Sequence, residues 1–220
     1  YENDVEQVLF LGSSCIYPKE TSQPISEKAL LRGPLEKTNE GYALAKIAGV
    51  KLCSYFYNEY NKDFISVMPT NLYGPNDNYD LETSHVLAAL IKKIATAKLK
   101  EIKNVEIWGT GKPRREFLHV NDLADALIFL SKNFSDHEHI NIGTSKDISI
   151  KELAQTISDI IGWKGKFIFN NNMPDGTMLK RLDTTKLQNL GWYPKIDIKT
   201  GIKKTIKDFL ELHKKNILKV

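Results

Sequence analysis

Tyr42 and Lys46 stand four residues apart in the run Tyr42-Ala43-Leu44-Ala45-Lys46. On a helix that spacing puts both side chains on one face, with Cβ atoms about 6 Å apart. A free phenol ionises near pKa ~10 and is a poor acid-base group at neutral pH. An ammonium one turn away favours the phenolate and lowers that value. The tyrosine can then give a proton to a carbonyl oxygen as hydride arrives on the carbon. Such pairs are also common on protein surfaces, so this one specifies little alone. Ser13 and Ser14 strengthen it, because they follow the apolar run Val8-Leu9-Phe10-Leu11 and Gly12. A serine just past the carboxyl end of a buried strand lies where open α/β sheets hold their ligands. Its hydroxyl can hold the same carbonyl oxygen. A strand-end cap is the plain alternative for Ser13, and the order Ser, Tyr, Lys favours the reactive one.

These residues need a strand, a crossover and a helix to bring them together. Residues 8–11 are continuously apolar, which suits a parallel strand covered on both faces. Residues 39–61 read as a long amphipathic helix, with Thr38 or Asn39 able to cap it. Residues 64–68 form a second strand stopped by Pro69, and 69–75 read as a loop by their prolines and glycine. Residues 81–97 form a helix with Val86, Leu87, Leu90, Ile91 and Ile94 on one face. Short strands at 105–108 and 117–120 flank the turn Gly109-Thr110-Gly111. Asn121 or Asp122 caps a helix running to Lys132, and 139–142 is a strand. Ser149 caps a helix over 150–161, 166–169 is a strand, and 174–182 is extended. A short helix from Thr184-Thr185 to Leu190 ends at Gly191, and 200–215 is the last helix. Strands alternate with helices, so the class is α/β.

Composition narrows the function. The chain has 220 residues, 31 basic and 27 acidic, for a net charge of +4, and 41% are hydrophobic. That excludes a disordered tail or a collagen-like fibre. No apolar run approaches the ~20 residues that cross a bilayer, and no secretory h-region opens the chain. The charge is too small and too scattered to indicate nucleic acid; Lys92-Lys93 and Lys203-Lys204 read as solvated helix faces. Cys15 and Cys53, without a signal peptide, read as reduced thiols in a cytoplasmic protein. Cys53 lies among apolar helix residues and is assigned to the core, and His119 is read as packing or hydrogen-bonding within the fold. His137 and His139 have no partners for a zinc site and read as exposed loop residues, so no metal is expected.

Larger motifs then carry a resemblance. The runs Gly12-Ser13-Ser14-Cys15-Ile16-Tyr17-Pro18, Tyr42 to Lys46 and Pro69-Thr70-Asn71-Leu72-Tyr73-Gly74-Pro75 resemble the extended short-chain dehydrogenase/reductase family. Asn76-Asp77-Asn78, Ser84-His85-Val86, Trp108-Gly109-Thr110-Gly111, Arg115-Glu116-Phe117-Leu118-His119-Val120, Asn141-Ile142-Gly143-Thr144 and Pro174-Asp175-Gly176-Thr177 narrow it to the branch that epimerises and reduces GDP-linked 4-keto sugars. The resemblance implies that Ser13, Tyr42 and Lys46 carry the reduction and that Cys15 and His85 are the epimerisation pair. It implies an NADP(H) site at Leu11, Gly12, Ser13, Ser14, Lys46, Pro69, Thr70, Asn71, Leu72 and His85. Lys93, Trp108, Arg115, Asp175 and Lys180 are placed around a GDP-sugar. The implied reaction is 3,5-epimerisation of GDP-4-keto-6-deoxy-D-mannose followed by 4-keto reduction. Two departures stand out: Lys93 is often Arg in the family, and Met178-Leu179 replaces a common Pro-Arg. Trp108 is equally well a core residue on sequence alone, and Asp175 a turn residue before Gly176.

A dinucleotide site also needs a glycine-rich turn after a first strand. Gly109-Thr110-Gly111 comes too late and lacks the third glycine, so the chain reads as the later part of a longer protein. The expected architecture is the C-terminal part of a Rossmann-like parallel sheet interleaved with a smaller substrate-binding lobe. Residues 1–75 and 119–145 are assigned to the NADP-binding domain, and 76–118 and 146–220 to the lobe. Apolar surplus on helices 39–61 and 81–97 predicts a homodimer through a helical bundle. A related substrate such as a GDP-deoxyheptose, and a catalytically dead binding subunit, stay open as alternatives.

Overall fold

The computed structural model describes residues 3–215. The chain runs through β1 (Gln7–Leu11), α1 (Glu40–Tyr60), β2 (Asp63–Pro69), β3 (Asn71–Tyr73), α2 (Val86–Leu99), β4 (Asn104–Trp108) and β5 (Arg114–His119). It continues through α3 (Val120–Asn133), β6 (Ile140–Ile142), β7 (Asp147–Ser149), α4 (Ile150–Ile161), β8 (Lys166–Asn170), β9 (Leu179–Lys180), α5 (Thr185–Asn189) and α6 (Ile198–Lys214). Two compact units result, each assembled from separate stretches of chain. The first holds the residues up to Leu72, Glu116–Asp147 and Lys180–Lys195; the second holds Tyr73–Arg115, Ile148–Leu179 and the residues from Ile196 on. The stretch Lys180–Lys195 therefore lies in the first unit, whereas the sequence reading put everything beyond 146 in the lobe.

The first unit is built on a parallel sheet of order β1-β2-β6. Leu11 pairs with Val67, and Val67 with Ile140, so the carboxyl ends of the strands align. Helix α1 crosses from β1 to β2, with Ala43, Ile47, Val50 and Cys53 buried along one side. One turn of drift per 3.6 residues keeps these positions on a common face. Ile65, Val67, Leu118, Leu130, Ile140, Ile142 and Trp192 form one core cluster. Ile16, Tyr17, Ile25, Ile47, Val50, Met68 and Leu182 form another. Each aliphatic side chain so buried contributes about 1.5–3 kcal/mol. Within the described residues β1 is the outermost strand of this sheet and is partly buried.

The second unit pairs β4 with β8 in parallel and packs α2, α4 and α6 together. Leu87, Ile91 and Ile94 of α2, Leu153 and Ile157 of α4 and Ile202, Ile206 and Phe209 of α6 are buried. Tyr79 meets Phe209 edge-on at 4.8 Å. Ser149 and Glu152 close a reciprocal capping box on α4, as the serine predicted. Helix α2 begins at Val86, later than expected. Asp80 Oδ1 accepts from the Glu82 and Thr83 backbone N–H groups at 3.0 and 2.9 Å, and this Asx turn keeps 81–84 out of the helix. The remaining short strands make a sheet of order β3-β5-β7 with β9 beside β5; β3 lies within the stretch read as loop. Among the described residues no helix is long and apolar enough to cross a membrane.

Two side-chain assignments need correction. The cap of α3 is His119, whose Nδ1 accepts from Asn121 N–H at 3.1 Å, not Asn121 or Asp122. His139 is buried, not exposed like His137. The Tyr17 hydroxyl draws it inward: it lies 3.0 Å from His139 Nε2 and donates to Asn141 Oδ1 at 2.5 Å. Burial pushes His139 down from 6.5 to about 4, with Lys186 and Lys51 adding to the shift. The folded state thus holds the imidazole neutral at pH values where the unfolded chain protonates it. Its contribution is complete above pH 6.5 and lost as pH falls toward 4. Urea unfolding at pH 7.5 and 4.5 should show up to about 3 kcal/mol lost for the wild type beyond the loss for His139→Gln. The comparison is needed because burial raises the Glu27 and Glu116 carboxyls, which act in the opposite sense.

Candidate active site

The carboxyl ends of β1 and β2 converge where the Gly12 N–H donates to Val67 O at 2.9 Å. Gly12 leaves room there for Met68: a Cβ would come within 2.3 Å of its Sδ and the methionine would have to shift. Ser13 follows in extended conformation, and its Oγ accepts from Cys15 N–H at 3.2 Å. The serine O–H remains available to donate outward. Lys46 Nζ donates to Leu11 O at 2.8 Å, which ties α1 to the strand end. The same ammonium lies 5.7 Å from the centre of the Tyr42 ring. Tyr42 is 51% exposed, and its hydroxyl has no partner among the described residues. A hydroxyl, a phenol and an ammonium thus gather at one strand mouth.

Pro69, Thr70, Asn71 and Leu72 continue from β2 beside this mouth. The Thr70 N–H donates to Ile142 O at 2.9 Å, and Asn71 Nδ2 donates to Glu116 O at 2.8 Å. The first unit therefore brings together Leu11, Gly12, Ser13, Ser14, Cys15, Tyr42, Lys46 and residues 69–72. These groups fit the reactive end of a dinucleotide: a backbone-walled mouth, an unpartnered phenol and a cation with two N–H donors to spare. Lys180 also belongs here, because its Nζ lies 3.5 Å from Cys15 Sγ. His85 lies in the second unit, exposed at the N-cap of α2, with no side-chain cap bond.

The second unit holds a cavity of about 280 Å³ lined by Lys93, Trp108, Arg115, Asp175, Ser84 and Val86, among others. Trp108 is 56% exposed, so it is a lining face and not a core residue. Lys93 Nζ sits 5.5 Å over its ring and donates to Glu106 O at 3.2 Å. Arg115 Nη1 donates to Thr177 O at 2.5 Å. Burial lowers the Arg115 guanidinium, and the nearby Asp175 charge works against that shift. Asp175 is engaged with the chain itself: its carboxylate accepts from Thr110 N–H at 2.7 Å and Thr110 Oγ1 at 2.8 Å. Gly109 has φ +73°, and a Cβ there would strike Asp175 Oδ1 at 2.2 Å. A flat ring against Trp108 and an anionic group near Lys93 and Arg115 is what such a cavity can hold.

One residue that organises the site carried no assigned role. Glu116 is fully buried, and its carboxylate accepts from the N–H groups of Thr144, Ser145 and Leu182 at 2.6, 2.7 and 2.8 Å. It thereby fixes the segment that leads from Lys180 to α5. The only sign of it in the sequence is an acid in a short strand otherwise turning apolar, Arg115-Glu116-Phe117-Leu118.

A parallel α/β sheet with Ser, Tyr and Lys at its mouth defines a class of dinucleotide-dependent enzymes. Residues 1–143 match the model of the NAD dependent epimerase/dehydratase family. The chain belongs to that family, in agreement with the extended short-chain dehydrogenase/reductase resemblance. It is 50% identical over 211 residues to GDP-L-fucose synthase 1 of Arabidopsis thaliana, covering 96% of this chain and 65% of the relative. The chain spans less than two thirds of the length of the plant relatives it matches. Among solved structures, a GDP-L-fucose synthetase from Naegleria fowleri bound to NADP superposes with TM-score 0.91 at 32% identity, over 97% of this chain and 69% of that one. A GDP-6-OMe-4-keto-L-xylo-heptose reductase from C. jejuni superposes with TM-score 0.88 at 37% identity, over 98% and 72%.

Proposed function

We propose that the intact protein is an NADPH-dependent epimerase-reductase that converts GDP-4-keto-6-deoxy-D-mannose to GDP-L-fucose in the cytosol. The observation that carries this is the Lys46 bond to Leu11 O, which holds Tyr42 and Lys46 at the mouth where Ser13 stands. Leu11 to Ser14, Lys46 and residues 69–72 would hold the nicotinamide end of the cofactor. The cofactor supplies hydride when bound. Ser13 and Tyr42 donate hydrogen bonds to the ketone oxygen, and Tyr42 gives it the proton that completes the alcohol. Cys15 removes a proton from a carbon next to the ketone, and His85 returns one. In the second unit Trp108 faces the ring portion of the GDP-sugar, while Lys93 and Arg115 face its diphosphate. Asp175 serves this site by holding the Thr110 turn, and the Lys180 contact to Cys15 extends its role beyond the GDP-sugar. The similarity to relatives named GDP-L-fucose synthase supports the substrate assignment.

A second reading, a GDP-4-keto-heptose as substrate, draws on the heptose reductase likeness and on Met178, 54% exposed in place of the usual proline. NADPH oxidation by the intact protein, followed at 340 nm with each ketone, separates the two. The deoxymannose ketone should give the higher kcat/KM; the reverse order selects the heptose. No oxidation with either would leave a binding subunit.

We also propose a homodimer. Leu44, Leu52 and Tyr55 are 53%, 57% and 56% exposed on one side of α1, with Ala48 exposed between them. An apolar stripe of this kind marks an association surface. α2 does not share it, because its apolar face is buried within the second unit. Light scattering should give a dimer for the wild type and a monomer for Leu52→Asp; a wild-type monomer refutes the assignment.

A further inference from the structure

The geometry points to Lys180 as a positioning residue that holds Cys15 as a thiolate, and so readies the base for epimerisation. The inference deepens the epimerase reading above and rests on it for its catalytic meaning. Its physical part concerns two side chains of the first unit. Lys180 Nζ lies 3.5 Å from Cys15 Sγ, within hydrogen-bond reach of sulfur. No acidic partner of Lys180 is recorded among the described residues, so its charge is not already neutralised by a carboxylate.

Both groups are held where they meet. Lys180 is part of β9, beside β5. The next residue, Arg181, is fixed by a salt bridge to Asp147 at 3.1 Å, and its N–H donates to Gln23 Oε1 at 3.1 Å. Leu182 N–H donates to the buried Glu116 carboxylate at 2.8 Å. Cys15 is fixed from the other side by Ser13 Oγ. An ammonium held 3.5 Å from a sulfur stabilises negative charge on it. Helix α1, which packs against the Cys15 turn, brings Tyr42 and Lys46 in its first two turns and Glu40, Lys51, Cys53, Tyr55, Tyr57, Glu59 and Tyr60 elsewhere along it, and Tyr17 follows on the same segment as Cys15. Lys46 is bonded to Leu11 O, and Tyr17 turns to His139 and Asn141. Lys180 is the cation aimed at the sulfur.

In the proton-transfer step the thiolate takes a proton from the carbon beside the ketone. The C–H bond breaks, its electron pair enters the enolate, and an S–H bond forms. A separate acid returns a proton on the opposite face, and the thiol releases its proton to solvent. Lys180 keeps its own protons throughout, and nothing is oxidised or reduced.

The test is alkylation of Cys15 by iodoacetamide in the intact, substrate-free protein, followed by peptide mass spectrometry across pH 5.5–9.5. Lys180→Met should slow Cys15 labelling at pH 7 about tenfold and move the profile to higher pH, while Lys180→Arg stays near wild type. Solvent deuterium incorporation into the ketone should fall in kcat for Lys180→Met and recover at high pH. Melting curves confirm that the variants fold, and Lys180→Gln replaces the Met variant if it does not. A labelling profile that does not move with Lys180→Met, or a rise in KM alone, overturns the inference and leaves Lys180 as a substrate contact. If the wild type shows no deuterium exchange yet labelling still depends on Lys180, the epimerase reading has failed and the pairing stands.

Discussion

Tyr42→Phe in the intact protein should lower ketone reduction by about 10²–10⁴-fold, the usual worth of a positioned proton donor. The substitution removes one oxygen and nothing else. The Tyr42 side chain is 51% exposed, and its hydroxyl bonds to no other described residue, so no fold contact is lost. Melting temperature should therefore match the wild type. The loss should appear in kcat, because the proton is needed only as hydride arrives; KM for NADPH should change little. Lys46→Met should lose reduction for a compound reason. It removes the ammonium beside the ring and also breaks the tie to Leu11 O that seats α1 on the strand end. Its KM for the cofactor should rise, and this separates the two variants. Near-normal turnover in Tyr42→Phe, measured at saturating NADPH and pre-epimerised ketone, would take Tyr42 out of the mechanism.

The parts of this site that were legible from sequence are those fixed by local chemistry. Tyr42 and Lys46 share a face because a helix has 3.6 residues per turn, and the helix over 40–60 follows from its apolar spacing. Ser149 caps α4 because Ser three residues before Glu satisfies two N–H groups at once. What stayed hidden depends on partners far along the chain. His139 looks like a loop residue until Tyr17, 122 positions away, supplies a hydroxyl for it. Asp175 looks like a turn residue or a ligand for substrate, and its partner Thr110 is 65 positions distant. Glu116 shows no purpose until three N–H groups from two other segments close on it. The late start of α2 is an intermediate case. Asp80 competing for local N–H groups is a sequence-level signal, and the apolar periodicity masked it. β3 was missed because its pairing with β5 is non-local, while Pro69 and Gly74 mark a loop by composition.

Cys15→Ser should separate the two chemistries assigned to the intact protein. In a 4-keto sugar the C3 and C5 protons flank the ketone, and their removal gives an enolate whose oxygen Ser13 and Tyr42 can hold. Removing them needs a base at the same mouth, and Cys15 lies two residues past Ser13, tied to its hydroxyl and beside Lys180. Serine is nearly the same size but hardly ionises at neutral pH, so the variant keeps the shape and loses the base. Deuterium incorporation at C3 and C5 from heavy water, read by NMR, should fall by about 10²–10⁴-fold. Hydride transfer to a ketone that is already epimerised should persist, because Tyr42, Lys46 and Ser13 are untouched. The two readouts move apart only if the base and the reducing groups are distinct residues. Deuterium exchange at the wild-type rate in Cys15→Ser would remove the thiol from the mechanism and leave the protein as a simple 4-keto reductase. Loss of both activities together, with the fold intact, would instead place Cys15 in contact with the ketone oxygen during reduction.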